Sequence, residues 1–253
     1  MSVDLTLDSN RPHIAHLTID FGKLNLLTAQ RLAELEETLR DLPEQVSVLT
    51  IGPEHSPEKL TGLTGGLHLE RAKDMSVVEA RDVLTTLHAT MQTVRNLDAV
   101  TVCDCGTHAL GAGFELALSC DFRVATRDAV LGLPEIDVGL VTGIEGGLLV
   151  RFVGLQRAKE LIYLGEPIDG KQAAAEGLVN EATTPETHDD ALEGIVERLA
   201  EKDPTILQYQ TEVFRQWRSN GLETGMDHSL ELIAACFGTE AQSEAMEGFL
   251  EGR

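Results

Sequence analysis

Apolar and polar positions alternate over the first twenty residues in a pattern typical of β-strands. Residues 3–7 and 14–19 carry this pattern, and the SNRP segment at 9–12 has the composition of a turn. Apolar runs rich in β-branched residues at 46–51 and 99–103 are typical of buried strands. The chain is therefore predicted to open with a hairpin and to continue with strands inside a core.

Helical spacing of apolar residues fills the segments between these strands. Thr28 can cap a helix whose apolar face starts at Leu32 and which ends before Pro43. Residues 77–95 show the same periodicity and predict a second helix. Alternating strands and helices up to about residue 186 predict an α/β fold.

The middle of the chain predicts shorter elements. Residues 122–126 and 129–131 are predicted as two strands separated by a turn at Arg127-Asp128. A helix is expected over 156–164, ended by Gly165. Asp169 can cap a further helix, with Gln172 at the reciprocal capping position and Gly177 at its end.

From residue 187 onward only helical patterns remain, at 191–200, 206–217 and 226–237. We therefore divide the chain into a core at 1–186 and a C-terminal helical region at 187–253. Apolar residues of that region have the spacing of core residues, so we expect them to pack on the core or on neighbouring subunits. These residues are Ile206, Val213, Phe214, Trp217, Leu230, Ile233 and Phe237.

The overall charge narrows the classes of partner. The chain has 253 residues, with 20 Lys and Arg against 42 Asp and Glu, a net charge of −22 and a pI near 4.6. Such a surface repels nucleic acid and anionic membrane, so we expect neither as a partner. Acidic residues spread along the whole chain and Lys is scarce, which favours a solvated, halophilic type of surface.

No secretory signal and no membrane-spanning window is recognisable, so a cytoplasmic location is predicted. The cysteines, Cys103, Cys105, Cys120 and Cys236, lack the second pair or histidine cluster of a zinc site. They are predicted to be free thiols, and no metal site is expected.

Two glutamates stand among apolar residues beside tight backbone turns. Glu115 follows Gly111-Ala112-Gly113 near a predicted helix start, and Glu135 follows Leu133-Pro134. A carboxylate in such surroundings is either well paired or catalytic, whereas most glutamates of an acidic chain are solvated. The pattern marks both residues as candidates for acid–base chemistry.

Two glycine-rich segments raise the possibility of phosphate binding. Residues 60–69 (LTGLTGGLHL) follow a predicted strand, but no Gly-Lys-Ser or Gly-Lys-Thr completes a P-loop. The segment 111–113 has part of a dinucleotide fingerprint without its third glycine. An NAD-dependent oxidoreductase is therefore only a weak alternative.

Several segments together resemble the crotonase family, the enoyl-CoA hydratase/isomerase superfamily. The most specific are ALGAGFELALSCD at 109–121 and GLPEI at 132–136. The others are KLNLLT at 23–28, LTGGLHL at 63–69 and MEGFLE at 246–251. The resemblance implies a spiral of ββα units followed by helices that form a homotrimer or a dimer of trimers.

The same resemblance implies an acyl-CoA thioester substrate and no separate cofactor. The backbone N–H groups of Leu67 and Ala112 would form an oxyanion hole, and Glu115 and Glu135 would handle water and proton. Retention of both glutamates favours a hydratase, with Glu115 polarising the water and Glu135 as the main proton donor. Substrate-binding residues implied by position are Gly65, Gly66, His68, Leu69, Gly111 and Gly143.

Some positions depart from the family pattern. His68 replaces an acidic or amide residue, and Glu70 stands where a cation near the CoA phosphates is common; Arg71 or Lys73 could serve instead. Glu145 adds a third carboxylate, expected on the surface or else facing the substrate, and His108 is expected to be structural or to face a pocket. An isomerase, an acyl-CoA hydrolase and a catalytically silent acyl-CoA-binding or RNA-binding relative remain alternatives.

Overall fold

A computed structural model describes residues 2–56 and 59–252, and this part of the chain forms a seven-stranded sheet with helices on both faces. The strands are β1 (Ser2–Leu7), β2 (Ile14–Asp20), β3 (Val48–Pro53), β4 (Val100–Leu110), β5 (Phe122–Gly132), β6 (Ile168–Asp169) and β7 (Glu181–Thr183). Strand order follows chain order from β1 to β6, and β7 pairs with β5. This order differs from the doubly wound order of dinucleotide-binding folds, which removes the structural basis for the NAD alternative.

Strands β2 to β5 are parallel to one another, while β1 and β6 pair antiparallel at the two ends. The helices are α1 (Ala29–Arg40), α2 (Leu69–Ala72), α3 (Val77–Arg95), α4 (Ala112–Ser119), α5 (Leu149–Leu164), α6 (Gly170–Ala175), α7 (His188–Ala200), α8 (Pro204–Ser219), α9 (Leu222–Cys236) and α10 (Glu240–Leu250). Short 3-10 helices cover Glu135–Val138, Glu145–Leu148 and Pro185–Thr187. The predicted α/β fold, with strands followed by a helical C-terminal region, is confirmed.

The predicted hairpin and the helix start at Thr28 are confirmed. β1 and β2 pair over their whole length, and the Thr28 side chain accepts a hydrogen bond from the Arg31 N–H at 3.4 Å. Helix α1 ends at Arg40, so Leu42 lies beyond it and packs against the core from the following turn. The predicted helix over residues 77–95 is also confirmed as α3.

The turn predicted at Arg127-Asp128 is wrong, because β5 continues through it. The register with β4 shifts here: Gly106 pairs with Ala125, and His108 pairs with Val130. The exposed polar pair therefore marks an irregularity in the β4–β5 ladder, and the strand bends without reversing.

Two helix starts also differ from the pattern. Helix α5 begins at Leu149 and not near 156, and Gly154 inside it has a non-helical conformation with φ of 74°. The pattern identified only the part after this kink, which ends at Gly165 as predicted. At α6, Asp169 accepts from the Gln172 N–H at 2.7 Å, but the Gln172 side chain bonds Glu176, so the reciprocal cap does not form.

Two apolar layers enclose the sheet. The larger joins one sheet face to α1, α3 and α4, with Phe114 and Leu35 fully buried. On the other face, Val102 and Val124 pack against Ile195 and Val196 of α7. The β3 and β4 strands are thus covered on both sides, as their apolar runs predicted.

The C-terminal helices leave much apolar surface open. Of the residues with core spacing, Val213 is buried, while Phe214, Trp217, Leu230, Ile233 and Phe237 are exposed. Helix α10 was not predicted, and none of its residues is buried. The division after residue 186 stays a prediction, although α7 itself packs on the sheet.

All four cysteines are free thiols, as predicted, and three of them are buried. Among the helices within residues 2–56 and 59–252, none combines the length and apolarity needed to cross a lipid bilayer.

Candidate active site

Glycine at position 111 joins β4 to α4 and brings two segments of the site together. Its φ of +53° is unfavourable for residues with a side chain, and its N–H donates to the Gly132 carbonyl at the end of β5, at 2.9 Å. A Cβ atom added at Gly111 would lie 3.0 Å from Glu135 Oε1. Glycine here allows the helix start and the Glu135 carboxylate to approach closely.

Two backbone N–H groups lie beside this turn. Leu27 donates to the Gly66 carbonyl and accepts from the His68 N–H, both at 2.8 Å, so the Leu67 N–H faces the opposite side. Ala112 is the first residue of α4, where an N–H has no acceptor within its own helix. A Cβ on Gly66 would lie 3.5 Å from the Ala112 nitrogen, so the two segments are in contact.

Leu67, Ala112 and both candidate glutamates line one cavity of about 350 Å³. Its wall includes every predicted site residue except His68: Gly65, Gly66, Leu67, Leu69, Gly111, Ala112, Glu115, Glu135 and Gly143. Leu84 and Leu87 of α3 add apolar surface that the site prediction did not include. His68 lies in an adjoining cavity of about 590 Å³ that shares Leu67 and Leu69 with the first.

Glu115 lies in the first turn of α4 with only 4 % of its surface exposed. Its Oε1 accepts a hydrogen bond from the Gly146 N–H at 2.8 Å. Burial, together with the charges of Glu135 and Glu145, raises the pKa of Glu115 to about 7, although the N–H groups of Gly146 and Glu145 oppose the rise. Near neutral pH this carboxyl can therefore either hold or release a proton.

Glu135 begins the 3-10 helix after Pro134 and is half-buried. Its Oε2 accepts a hydrogen bond from the Thr142 hydroxyl at 2.8 Å, which fixes the carboxylate against the 142–148 segment. The sequence patterns did not identify Thr142 or Gly146, which lie 7 and 31 residues from the glutamates that they contact.

Glu145 does not lie on the surface as expected, since only 3 % of it is exposed. Its Oε1 lies 2.9 Å from His88 Nδ1 and 3.0 Å from Arg95 Nη2. His108 lines a different cavity, near Leu24 and Gly62, and burial lowers its pKa. Glu145 and His108, whose environments the sequence left open, therefore lie in different parts of the structure.

A second group of titratable side chains lies apart from this cavity. Asp104 bonds His55 Nε2 at 2.8 Å and His188 Nε2 at 2.7 Å, across sequence separations of 49 and 84 residues. These residues could hold a metal ion by geometry. The Thr61 N–H, however, donates to His55 Nδ1 at 3.1 Å, so in the neutral ring Nε2 carries the proton and is not free to ligate. We interpret the group as a hydrogen-bond network that joins β4 to α7.

Comparison with known proteins identifies the family of the chain. The family model for enoyl-CoA hydratase/isomerase matches residues 10–253. A short-chain-enoyl-CoA hydratase of Clostridium acetobutylicum is 27% identical over 242 residues, covering 95% of this chain and 92% of that protein. A 2,3-dehydroadipyl-CoA hydratase of Escherichia coli is 30% identical over 235 residues, covering 90% of this chain and 87% of that protein.

Solved structures give the same result for the fold. The crystal structure of an enoyl-CoA hydratase from Bacillus anthracis superposes with a TM-score of 0.89 at 26% identity, covering all of this chain (100%) and 97% of that one. The expected crotonase-type fold is thereby confirmed. With the family model matching nearly the whole chain, the protein belongs to the enoyl-CoA hydratase/isomerase family.

Proposed function

We propose that this protein is an enoyl-CoA hydratase, which adds water reversibly across the 2,3 double bond of a 2-enoyl-CoA to give a 3-hydroxyacyl-CoA. The observation that carries the proposal is one cavity lined by Glu115, Glu135, Leu67 and Ala112, whose backbone N–H groups we propose as the oxyanion donors. Hydration needs these parts together: donors for a thioester oxygen, and carboxyl groups for one water and one proton.

The two N–H groups would act on the thioester carbonyl. Attack of water at the β-carbon places negative charge on the thioester oxygen as the enolate forms. A fixed donor aimed at that oxygen contributes about 3–4 kcal/mol to transition-state stabilisation, and the Ala112 N–H adds the favourable dipole of a helix N-terminus. Because the backbone supplies these donors, Ala112 serves as well as glycine.

The glutamates would hold the attacking water between them. One carboxylate accepts a proton from the water as its oxygen bonds the β-carbon, and the other carboxyl delivers a proton to the α-carbon on the same face, giving syn addition. The family resemblance makes Glu135 the main donor, whereas burial makes Glu115 the group that holds a proton near neutral pH. We therefore assign one shared proton to the coupled pair.

The cavities suggest how the rest of the substrate binds. The inner cavity has apolar walls from Leu84, Leu87 and Ile144, which suit an acyl chain. In the adjoining cavity, His68, Arg71 and Lys73 offer donors to the anionic CoA portion despite the acidic chain. Gly65, Gly66 and Gly111 keep the backbone near the thioester. The reaction as proposed uses no cofactor or metal beyond the CoA of the substrate.

We also propose a homotrimer, or a dimer of trimers, with a cytoplasmic location. Support for the oligomer comes from exposed apolar residues on and just after α9 and on α10, among them Leu230, Ile233, Phe237 and Phe249. Light scattering should give three or six times the chain mass of 27.4 kDa. Replacement of Ile233 by Glu should reduce that mass, and a monomeric wild-type protein would contradict the proposal.

The activity is tested by following the absorbance of the conjugated enoyl thioester when enzyme is added to short, medium and cyclic enoyl-CoAs. Loss of absorbance with formation of the 3-hydroxyacyl-CoA supports hydration. Double-bond migration would indicate an isomerase, and release of free thiol a hydrolase. Tight CoA-ester binding without turnover would indicate a silent acyl-CoA-binding relative and would refute the hydratase.

A further inference from the structure

Glu145 is a buried carboxylate outside the wall of the site cavity. It begins the 3-10 helix Glu145–Leu148, and its side chain turns to α3, where it meets Arg95 and His88. These two residues lie two turns apart on one face of α3, so a single carboxylate oxygen contacts both. Buried ion pairs stabilise a fold weakly, because desolvation offsets the attraction. Stability alone therefore does not explain the buried pair of Glu145 and Arg95.

The segment around Glu145, residues 142–148, contacts both candidate catalytic glutamates. Gly146 donates its N–H to Glu115 Oε1 at 2.8 Å, and Thr142, just before it, donates to Glu135 Oε2 at 2.8 Å. A Cβ atom at Gly146 would collide with the Thr142 side chain and lie 3.5 Å from Glu115 Oε1. The segment therefore fits tightly between the two carboxyls, and Glu145 is the residue that ties it to α3.

We propose that Glu145 is a positioning residue for the Glu115–Glu135 pair. Held by Arg95 and His88, it fixes the 142–148 segment against both carboxyls. Its pairing with Arg95 also balances the charge that Glu115 faces. This inference rests on the proposed function for its kinetic consequence only, because the placement and charge of Glu115 do not depend on the reaction.

The charged groups around Glu115 and Glu135 predict the direction in which each substitution should shift the pKa of Glu115. Glu115 faces Glu135 and Glu145, and Glu145 raises the pKa of Glu115. Glu145 in turn faces Arg95 and His88 from α3. Behind them, Arg218 of α8 donates to the Arg95 carbonyl at 2.7 Å and adds a further positive charge.

Glu145→Gln removes a negative charge and leaves Arg95 unbalanced, so the titration midpoint of Glu115 should fall by roughly one pH unit. Arg95→Gln leaves Glu145 with fewer partners, so the midpoint should rise. The double variant should return towards wild type, and Arg95→Lys, which keeps the charge, should stay near it. Glu160→Gln, which removes an exposed partner of Arg157 on α5, is the matched control and should shift nothing.

The midpoint is measured by carbon-13 NMR of glutamate-labelled protein, with the Glu115 signal assigned from Glu115→Gln. Opposite shifts in the two single variants support the proposal. Shifts of the same sign, or no shift in either, overturn it, because a merely structural residue would loosen the site in both cases. If one single variant does not fold, the sign of the other and the behaviour of Arg95→Lys still decide.

Enoyl-CoA hydration provides the second readout. In Glu145→Gln, kcat should fall by roughly ten- to a hundredfold with KM little changed, because misplaced carboxyls weaken the transition state more than substrate binding. An equal loss in Glu160→Gln, or a loss in KM alone, would contradict the positioning role. If the wild type shows no hydration while the NMR midpoints shift as expected, the proposed function fails and the charge relation of Glu145 stands.

Discussion

At the scale of single residues, burial of Glu115 makes the stability of the fold depend on pH. A carboxyl whose pKa is raised to about 7 in the folded protein, from an ordinary value of 4.5, binds protons more tightly folded than unfolded. The sign of the linkage follows: the folded state loses stability as pH rises from the unfolded pKa through the folded one. Ionised Glu115 is thus kept at a cost to the fold, as is common for catalytic groups.

Glu115→Gln should therefore stabilise the protein at alkaline pH. The amide keeps an acceptor for the Gly146 N–H without a buried charge. The gain over wild type should be near zero at pH 4 and grow through pH 7, to at most about 3 kcal/mol by pH 8.5. Urea unfolding of both proteins across this range measures it. A constant difference at all pH values would contradict the raised pKa.

Residue patterns marked the two glutamates as candidates, and the family resemblance implied the two backbone donors, but neither indicated the hydrogen-bond partners of the glutamates. Glu115, Glu135, Leu67 and Ala112 lie in continuous motifs, and the structure brings them to one cavity. The partners of Glu145 lie 50 and 57 residues away on α3. Such contacts arise because α3 and the Glu145–Leu148 helix both pack against α4. Local spacing does not encode this packing.

At the scale of elements, the His55–Asp104–His188 network fastens α7 to the sheet. His188 begins α7 and is fully buried, with Thr183 Oγ1 at 2.8 Å from Nδ1 and Asp104 at 2.7 Å from Nε2. Hydrogen bonds from His188 and His55 lower the pKa of Asp104, outweighing burial, which would raise it. The network is a helix-to-sheet contact outside the candidate active site.

His188→Leu should lower the free energy of unfolding by about 2–3 kcal/mol, since Asp104 and Thr183 each lose a buried hydrogen-bond partner. Chemical denaturation measures the loss. His228→Leu on α9 is the control, because His228 is exposed and bonds only Gln216 among the described side chains, so it should change stability by less than about 0.5 kcal/mol. Equal effects of the two substitutions would contradict the role of the network.

The pH dependence of the same network follows from two opposite shifts. Burial tends to lower the pKa of His55, but the hydrogen bond and charge of Asp104 outweigh it and raise that pKa. Stability from His55 is therefore complete below its unfolded pKa and lost as pH rises through the folded one. Stability from Asp104 is present above its unfolded pKa and lost as pH falls through the lower folded value. The network therefore stabilises the fold most between the unfolded pKa of Asp104 and the unfolded pKa of His55, in mildly acidic solution.

The presence and type of strongly periodic elements were predicted better than the residues at which elements begin and end. The α3 helix and the β1–β2 hairpin match, because their apolar spacing and caps are local. The β5 strand was divided wrongly at Arg127-Asp128, since an exposed polar pair inside a ladder irregularity resembles a turn. Helix α5 was predicted too short, because Gly154 interrupts the pattern without ending the helix.

At the scale of the whole molecule, charge is the dominant feature that local motifs do not explain. A net charge of −22 makes the folded state repel itself at low salt. At about 1 M salt the screening length falls to about 3 Å, so this repulsion largely disappears. The surface therefore favours a protein adapted to high salt.

The melting temperature should rise as KCl increases from 0.1 to about 2 M, with the steepest gain where screening shortens most. A variant with fewer exposed acids, Glu37→Gln, Asp82→Asn and Glu197→Gln together, should show a smaller rise, because all three residues are exposed on the protein surface. A melting temperature that is flat or falls with salt would contradict the halophilic prediction.

Turnover and melting temperature, measured on the same preparations of wild type, Glu115→Gln, Glu135→Gln and the double variant, test the two-carboxyl mechanism most directly. Each single variant should lose roughly 10²–10⁴-fold in hydration rate while remaining folded and binding CoA esters. The double variant should be little worse than the poorer single, because groups that act as one unit are not additive. Near-wild-type turnover in either single variant, or activity that falls only in step with the folded fraction, would contradict the mechanism.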